Sequence, residues 1–145
     1  MCAFESDGVV TAPDGELSDM TMNRSTYGYT ARVLGELVRD RGIISIEEAV
    51  RRMTSLPATA AGLADRGTLR PGAAADVVVF DAARITDRTT DVEIAAVPDG
   101  IVNVFVNGRV ALRDGELQVE RAGRMLRREG SPQVRRGPVG IGLPA

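Results

Sequence analysis

The sequence predicts an α/β chain in which two amphipathic helices come first and a small antiparallel sheet follows. Three observations support this fold class. Apolar residues recur every three or four positions between Ala31 and Met53, which is the period of a helix with one buried face. A continuous apolar run from Val77 to Phe80 marks the change to strands. The segment around Asn107-Gly108 has the composition of a tight β-hairpin.

The first helix is predicted between Tyr27 and Gly42. Its apolar face consists of Ala31, Leu34, Leu37 and Val38. Arg39 and Arg41 lie in the last turn, where positive charge stabilises the negative end of the helix dipole. Gly42 is the residue type that most often follows the end of a helix. The helix is therefore expected to end just before this glycine.

The second helix has a clear N-terminal signature, because Ser45 is followed three residues later by Glu48. This spacing is that of a capping box, in which each residue satisfies a backbone N–H of the other. The apolar stripe consists of Ile46, Ala49, Val50 and Met53. Pro57 is expected to stop this helix, and a short helical turn is expected from Ala58 to Leu63.

The C-terminal half is predicted to form a β-meander. Val77 to Phe80 is an uninterrupted apolar run, as expected of a strand buried on both faces. The later strands are expected at Ile101 to Val106, Arg109 to Leu112 and Glu116 to Val119, joined by turns at Asn107-Gly108 and Asp114-Gly115. The polar stretch from Ala83 to Gly100 is expected to cross the surface.

The two ends of the chain have different compositions. Met1 to Phe4 is a short apolar run that reads as the end of a buried strand, and Asp7-Gly8 then makes a turn. Residues 9–26 are expected to form a loop. Residues 129–145 are rich in glycine, proline and arginine, and they are expected to be disordered because they offer little apolar surface to bury.

Composition excludes several classes of function. No apolar run is long enough to span a bilayer, and the first residues, MCAFESDG, lack the pattern of a signal peptide. We therefore expect a cytoplasmic protein without membrane insertion. All 18 basic residues are arginine, but 20 acidic residues give a net charge of −2. Nucleic-acid binding is not expected, since it requires a basic excess on one face.

The chain lacks the side chains that most often bind zinc. It has no histidine and a single cysteine, Cys2. A lone cysteine cannot form an intrachain disulfide, and without a histidine to activate the thiol we expect Cys2 to be a small apolar residue of the interior.

Four segments together resemble the C-terminal part of the N-acyl-D-amino-acid deacylases (D-aminoacylases), a branch of the amidohydrolases. They are Ser6-Asp7-Gly8, the Tyr27-Gly28 helix with ARVLGELVRDRG, the run from MTSLPA through GLADRG to LRPGAAADVVVFD, and GIVNVFVNGRV. In amidohydrolases the LRPGAAAD type of segment marks the return of the chain into a small sandwich. Gly67 and Gly72 would permit turns there, and Asp76 would precede the strand.

The resemblance implies how the chain is divided. Residues 1–66 would be the end of a TIM-like metal-dependent hydrolase barrel, with its last strand, a loop and helices. Residues 67–128 would be part of the β-sandwich, and residues 129–145 the disordered tail. A complete barrel needs about 250 residues, so this fold is expected to be incomplete as a single chain of 145 residues.

The resemblance assigns a catalytic role to Asp7. In the family, the aspartate at this position lies beside the metal and carries a proton from the metal-bound water to the departing nitrogen. Amide cleavage needs such a group, because a base must take a proton from water and an acid must supply one to the amine. From the residues alone, ordinary turn chemistry is the favoured explanation of Asp7-Gly8.

The chain also departs from the family pattern. Relatives carry a His-Pro-Arg type of segment before the Tyr-Gly pair, whereas here Met22 to Thr26 reads MNRST. The resemblance implies zinc as cofactor, but we expect no metal to be bound by this chain alone. A separate chain with the rest of the barrel would have to supply the ligands, and only the complete enzyme would take a small N-acyl amino acid as substrate.

Two functions follow from these observations. The first is the C-terminal portion of a metal-dependent amidohydrolase that cleaves carbon–nitrogen amide bonds and is inactive alone. The second is a non-catalytic scaffold or oligomerisation module derived from the same family. The second would require the chain to fold cooperatively by itself, although an unpaired strand edge would then favour aggregation.

Overall fold

The computed structural model describes residues 3–4, 6–8, 23–118 and 121–127, in which a helical half precedes a four-stranded antiparallel sheet. The helices are α1 (Ser25–Arg32), a π-helical continuation (Val33–Asp40), α2 (Ile46–Met53) and α3 (Ser55–Ala61). The strands are β1 (Val77–Phe80), β2 (Ile101–Val106), β3 (Arg109–Arg113) and β4 (Glu116–Leu117). Within these ranges, every helix is too short or too polar to cross a bilayer.

The first predicted helix is confirmed, but its second half is wound more widely than an α-helix. From Val33 to Asp40 the turns are π-helical, and the Arg41 N–H donates to the Glu36 carbonyl five residues earlier, at 3.0 Å. Apolar residues that recur every three to four positions do not distinguish an α-helix from a π-helix over so short a length. The helix ends as predicted, because Gly42 has a left-handed backbone with φ of 57°.

The cap of α2 is half of the predicted box. The Glu48 N–H donates to the Ser45 hydroxyl at 3.3 Å, whereas the Glu48 carboxylate accepts from Arg51 at 2.6 Å and from Arg52 at 2.7 Å. The prediction that Pro57 stops the helix is wrong. The break falls at Thr54, and Pro57 lies in the first turn of α3, where a missing N–H costs no helical hydrogen bond.

The predicted meander is confirmed, with strand order β1-β2-β3-β4 and antiparallel pairing throughout. Both tight turns have the left-handed backbone that favours Asn-Gly and Asp-Gly pairs. Asn107 and Gly108 have φ of 50° and 79°, and Asp114 and Gly115 have φ of 51° and 85°.

The prediction that β1 is buried on both faces is wrong. Val78 and Val79 are 53% and 43% exposed. In the described part of the sheet, β1 pairs only with β2, so it is an edge strand. An apolar run does not reveal how many neighbours a strand has, and this strand has one.

The connection from Ala83 to Gly100 does more than cross the surface. Ile85 is fully buried and Thr89 is 3% exposed. Ile85 packs in one apolar cluster with Ala31, Val33, Leu34 and Ala49 of the helices. The prediction of a surface excursion is therefore wrong at these two residues, because the chain folds back onto the helices after β1.

Several predictions fall at the N-terminal and C-terminal ends. Ala3 and Phe4, the described part of the predicted first strand, are not in a strand. The Phe4 N–H instead donates to the Arg52 carbonyl at 3.3 Å, because no described strand lies beside it to pair with its backbone. Cys2, Met22, Val119 and residues 129–145 lie outside the described residues.

Candidate functional site

The candidate site is the turn at Ser6, Asp7 and Gly8. Asp7 has a left-handed backbone with φ of 49°, and its side chain is exposed. The Gly8 N–H donates to the Ser6 hydroxyl at 3.2 Å. Aspartate tolerates this backbone better than most residues do, so the turn presents the carboxylate to solvent.

The N-terminal turn of α1 holds the Asp7 turn in place. The Ser25 hydroxyl donates to the Ser6 carbonyl and also contacts the Asn23 side chain. A Cβ on Gly8 would lie 2.8 Å from the Thr26 hydroxyl oxygen and 2.9 Å from its Cα. Glycine is therefore needed for this close approach, and the position of Asp7 is tied to the start of the helix.

Arg24, directly before α1, ties this helix to the connection between β1 and β2. Its Nη2 donates to the Thr89 carbonyl at 2.7 Å and its Nε donates to the Thr89 hydroxyl at 3.3 Å. Its guanidinium also lies 3.7 Å from the carboxylates of Asp87 and Asp91. The sequence prediction identified this segment only as a departure from the His-Pro-Arg pattern, and it missed this role.

The Tyr-Gly pair has a steric explanation. Gly28 is buried in α1, and a Cβ there would lie 2.6 Å from the Asp87 Cγ and overlap its carboxylate. Asp87 in turn accepts from the Thr89 N–H at 2.8 Å. The glycine therefore allows the connection between β1 and β2 to reach the helix.

A cavity of about 240 Å³ lies next to these contacts. It is lined by Phe4, Arg24, Ser25, Tyr29, Arg32, Val33, Leu37 and Asp87.

Burial raises the pKa of the Tyr29 hydroxyl above 10.0, so this group stays protonated at neutral pH and can donate a hydrogen bond. Arg32 donates to Glu36 at 2.8 Å, and this hydrogen bond is the main reason why the Glu36 pKa is lowered. The cavity thus combines an apolar wall with paired charges, and Ser25 links it to the Asp7 turn.

Asp7 does not have the companions that a zinc ion needs. Among the residues that the structure describes, no three His, Cys, Asp or Glu side chains are grouped so that they could hold a metal. Protein zinc sites use three or four such ligands. The described residues by themselves therefore do not fit a zinc ion.

The sequence matches the model of the amidohydrolase family over residues 2–112. The chain belongs to the amidohydrolase family. Its resemblance to the D-amino-acid deacylases of that family is confirmed by similarity to individual proteins. It is 43% identical over 105 residues to N-acyl-D-glutamate deacylase from Alcaligenes xylosoxydans xylosoxydans, covering 72% of this chain and 22% of that protein.

Solved structures of such deacylases have the same fold over the matched region. A crystal structure of D-aminoacylase superposes with a TM-score of 0.78 at 37% identity, covering 87% of this chain and 25% of that one. N-acyl-D-glutamate deacylase from Bordetella bronchiseptica, in complex with zinc and a phosphonate inhibitor, gives a TM-score of 0.68 at 39% identity, covering 80% and 24%. The chain thus spans about a quarter or less of the length of the relatives that it matches.

These comparisons leave the role of Asp7 as a prediction. The structure places Ser25 and Thr26 against the Ser6-Asp7-Gly8 turn, a contact that the sequence analysis did not predict. It also brings Arg24 and Asp87 together as an ion pair in the lining of the neighbouring cavity. In the sequence, only the polar residues beside Asp7 indicate contacts of its turn, and no pattern indicates the pair of Arg24 and Asp87.

Proposed function

We propose that this chain is the C-terminal portion of a metal-dependent deacylase that hydrolyses the amide bond of N-acyl-D-amino acids. The observation that carries the proposal is the 43% identity to N-acyl-D-glutamate deacylase over most of the chain. The presence of an aspartate at the predicted catalytic position, Asp7, is consistent with it. In this proposal, residues 1–66 belong to the barrel and residues 67–128 to the small sandwich.

The proposed chemistry uses Asp7 as both base and acid. Its carboxylate would take a proton from the attacking water and then give that proton to the nitrogen that leaves. The contacts of Ser6 and Ser25 support this role, because they fix the backbone of the turn while the carboxylate stays accessible. A carboxylate held in one place loses less freedom when it reaches the transition state.

We further propose that these 145 residues are inactive alone and require the remaining barrel, on the same polypeptide or on another. They contain no histidine, so the histidine ligands of the family must come from outside them. Zinc makes hydroxide available near neutral pH by lowering the pKa of its bound water. A lone carboxylate on an exposed turn has no equivalent means of activating water.

The test measures hydrolysis of N-acetyl-D-glutamate in the presence of zinc. It is done with the chain alone and with the chain co-expressed with a polypeptide that carries the remaining barrel and its histidines. We expect turnover only from the mixture. The Asp7→Asn variant should reduce this turnover about 100- to 10,000-fold, which is the usual contribution of a general acid or base. Asp114→Asn is the matched control. Like Asp7, Asp114 precedes a glycine, and its φ of 51° is close to the 49° of Asp7.

Each result has a clear meaning. Equal losses from Asp7→Asn and Asp114→Asn would contradict the role of Asp7. Zinc-dependent turnover by the chain alone would contradict the requirement for the remaining barrel.

The alternative is a non-catalytic scaffold module. One observation favours it: Ile85 gives the helices and the sheet a common buried cluster within the chain itself. Self-association of the chain together with no turnover in the mixture would support the scaffold and contradict the deacylase proposal.

A further inference from the structure

The hairpin between β2 and β3 contains a chemically labile pair. Asn107 is followed by Gly108, and it is the only asparagine of the sequence that precedes a glycine. A glycine on the C-terminal side leaves the backbone nitrogen unhindered, so that it can attack the side-chain amide carbon. This reaction deamidates asparagine, and the surrounding fold decides how fast it proceeds.

The Asn107 side chain is held at both of its ends. Its Oδ1 accepts from Arg66 Nη2 at 2.7 Å, and its Nδ2 donates to the Ala122 carbonyl at 2.7 Å. To bring Cγ towards the next backbone nitrogen, the amide must rotate and break both bonds. One of them involves a charged donor, and such hydrogen bonds are stronger than neutral ones.

The backbone of the turn is held as well. The Asn107 N–H donates to Asp76 Oδ1 at 2.7 Å. The Gly108 N–H donates to the Ala75 carbonyl at 2.9 Å. Because the Gly108 nitrogen must lose this proton before it attacks, the second bond protects the nucleophile itself.

Arg66 is the centre of this network. Its residue surface is 8% exposed, and its Nη1 pairs with the Asp76 carboxylate. The same arginine therefore contacts both the side chain of Asn107 and the carboxylate that binds the Asn107 backbone. We define the Arg66 network as Arg66, Asp76, Asn107 and the carbonyls of Ala75 and Ala122.

We propose that Asn107 is a site of spontaneous deamidation that the Arg66 network keeps closed in the folded chain. When the network opens, the Gly108 nitrogen gives its proton to water and forms a bond to Asn107 Cγ. The bond from Cγ to Nδ2 breaks as Nδ2 takes a proton from water, and the nitrogen leaves as ammonia. Water then opens the resulting succinimide at either carbonyl, which yields aspartate or isoaspartate.

The modification would not be neutral for the fold. A carboxylate at position 107 has no donor for the Ala122 carbonyl, whereas the Asn107 amide donates to it at 2.7 Å. The new charge would also lie beside Asp76. Isoaspartate adds a backbone atom to a two-residue turn, and this is incompatible with the register of β2 and β3.

The Asp114-Gly115 turn offers a control within the same molecule. Its φ angles of 51° and 85° nearly equal the 50° and 79° of Asn107 and Gly108. The Asp114 side chain is exposed, and the Asp114 N–H donates to the Val102 carbonyl at 2.9 Å. The Asp114→Asn variant therefore creates a second Asn-Gly turn of the same shape, with an exposed side chain in place of one bound by Arg66.

The experiment incubates the Asp114→Asn chain at neutral to mildly alkaline pH and follows both sites by peptide mass spectrometry. Each rate is divided by the rate at the same site in concentrated urea. We expect Asn107 to be protected at least about tenfold more than position 114, as the loss of a hydrogen bond to a charged group would imply. Equal protection at the two sites would overturn the proposal.

A second variant tests the role of Arg66. Arg66→Met in the Asp114→Asn background should speed deamidation at Asn107 about tenfold or more, while position 114 keeps its rate. No acceleration at Asn107 would overturn the role of the network. If the variant unfolds, both sites reach their urea rates, and the comparison in the parent chain then decides. Neither readout depends on deacylase activity, so the proposal stands or fails separately from the proposed function.

Discussion

Gly28 shows how a single position can join two distant parts of the chain. The glycine lies in α1, and the carboxylate of Asp87 occupies the space that a side chain would need. The sequence identifies Gly28 as part of a Tyr-Gly pair but gives no reason for it. The reason is a contact with a residue far along the chain, which no local pattern contains.

Gly28→Ala is therefore expected to destabilise the fold. The added methyl group would displace the Asp87 carboxylate, which accepts from the Thr89 N–H and lies beside Arg24, and losing a hydrogen bond to a charged group costs about 1.5–3 kcal/mol. Alanine favours helix over glycine by about 1 kcal/mol, which leaves a net loss of about 0.5–2 kcal/mol. The free energy of unfolding, from urea denaturation followed by circular dichroism, measures the difference.

Gly123→Ala is the matched control for this prediction. Apart from its two neighbours in the chain, no described residue has an atom within 4 Å of the position that its Cβ would take, so we expect a change within about 0.5 kcal/mol. If both variants unfold at the same urea concentration as the parent chain, the close approach of Asp87 has no energetic weight.

At the level of the elements, α2 carries a local cluster of charges. Glu48 accepts hydrogen bonds from Arg51 and Arg52, and these lower its pKa from 4.5 to about 2. Because the pKa is lower in the folded chain, the stabilisation is complete above about 4.5 and is lost as the pH falls towards about 2. Acid should therefore loosen α2 in this window.

Arg51→Gln tests the origin of this shift. Arg51 is the largest contributor, so we expect the Glu48 pKa to rise from about 2 towards 4.5. A carboxyl titration by NMR gives the value. Glu47 serves as internal control, because its pKa is lowered by its own backbone N–H and by the Ser45 hydroxyl. An unchanged Glu48 pKa would contradict the assignment.

The elements that the sequence predicted correctly are those with local causes. Asn107-Gly108 specifies its hairpin because both residues adopt positive φ easily, and Ser45 caps α2 because its hydroxyl reaches the Glu48 N–H. The exposure of Val78 depends instead on which strands pair with β1, and the candidate site depends on Ser25 reaching the Ser6 carbonyl. These contacts join separate parts of the chain, so local patterns do not predict them.

For the whole molecule, one side chain connects the helical half to the sheet half. Ile85 is the largest fully buried side chain among the described residues, and it packs against the helices just after β1. Ile85→Ala should lower the free energy of unfolding by about 2–5 kcal/mol, as expected for a large-to-small change in a core. Urea denaturation followed by circular dichroism gives this value.

Val97→Ala is the control for Ile85→Ala. Val97 lies in the same connection and is 65% exposed, so its loss should change stability by less than about 0.5 kcal/mol. Similar effects of the two variants would show that the connection does not share the core of the helices.

The position of Arg66 limits where this chain could be split or circularly permuted. The predicted boundary between residues 66 and 67 lies directly after Arg66, whose partners Asp76 and Asn107 are on the other side. In a chain opened there, Arg66 would be the C-terminal residue and would no longer be joined through the backbone to the Asn107-Gly108 turn that it contacts. New termini are better placed at Gly42, which is exposed and leaves Arg66, Asp76 and Asn107 on the same side of the opening.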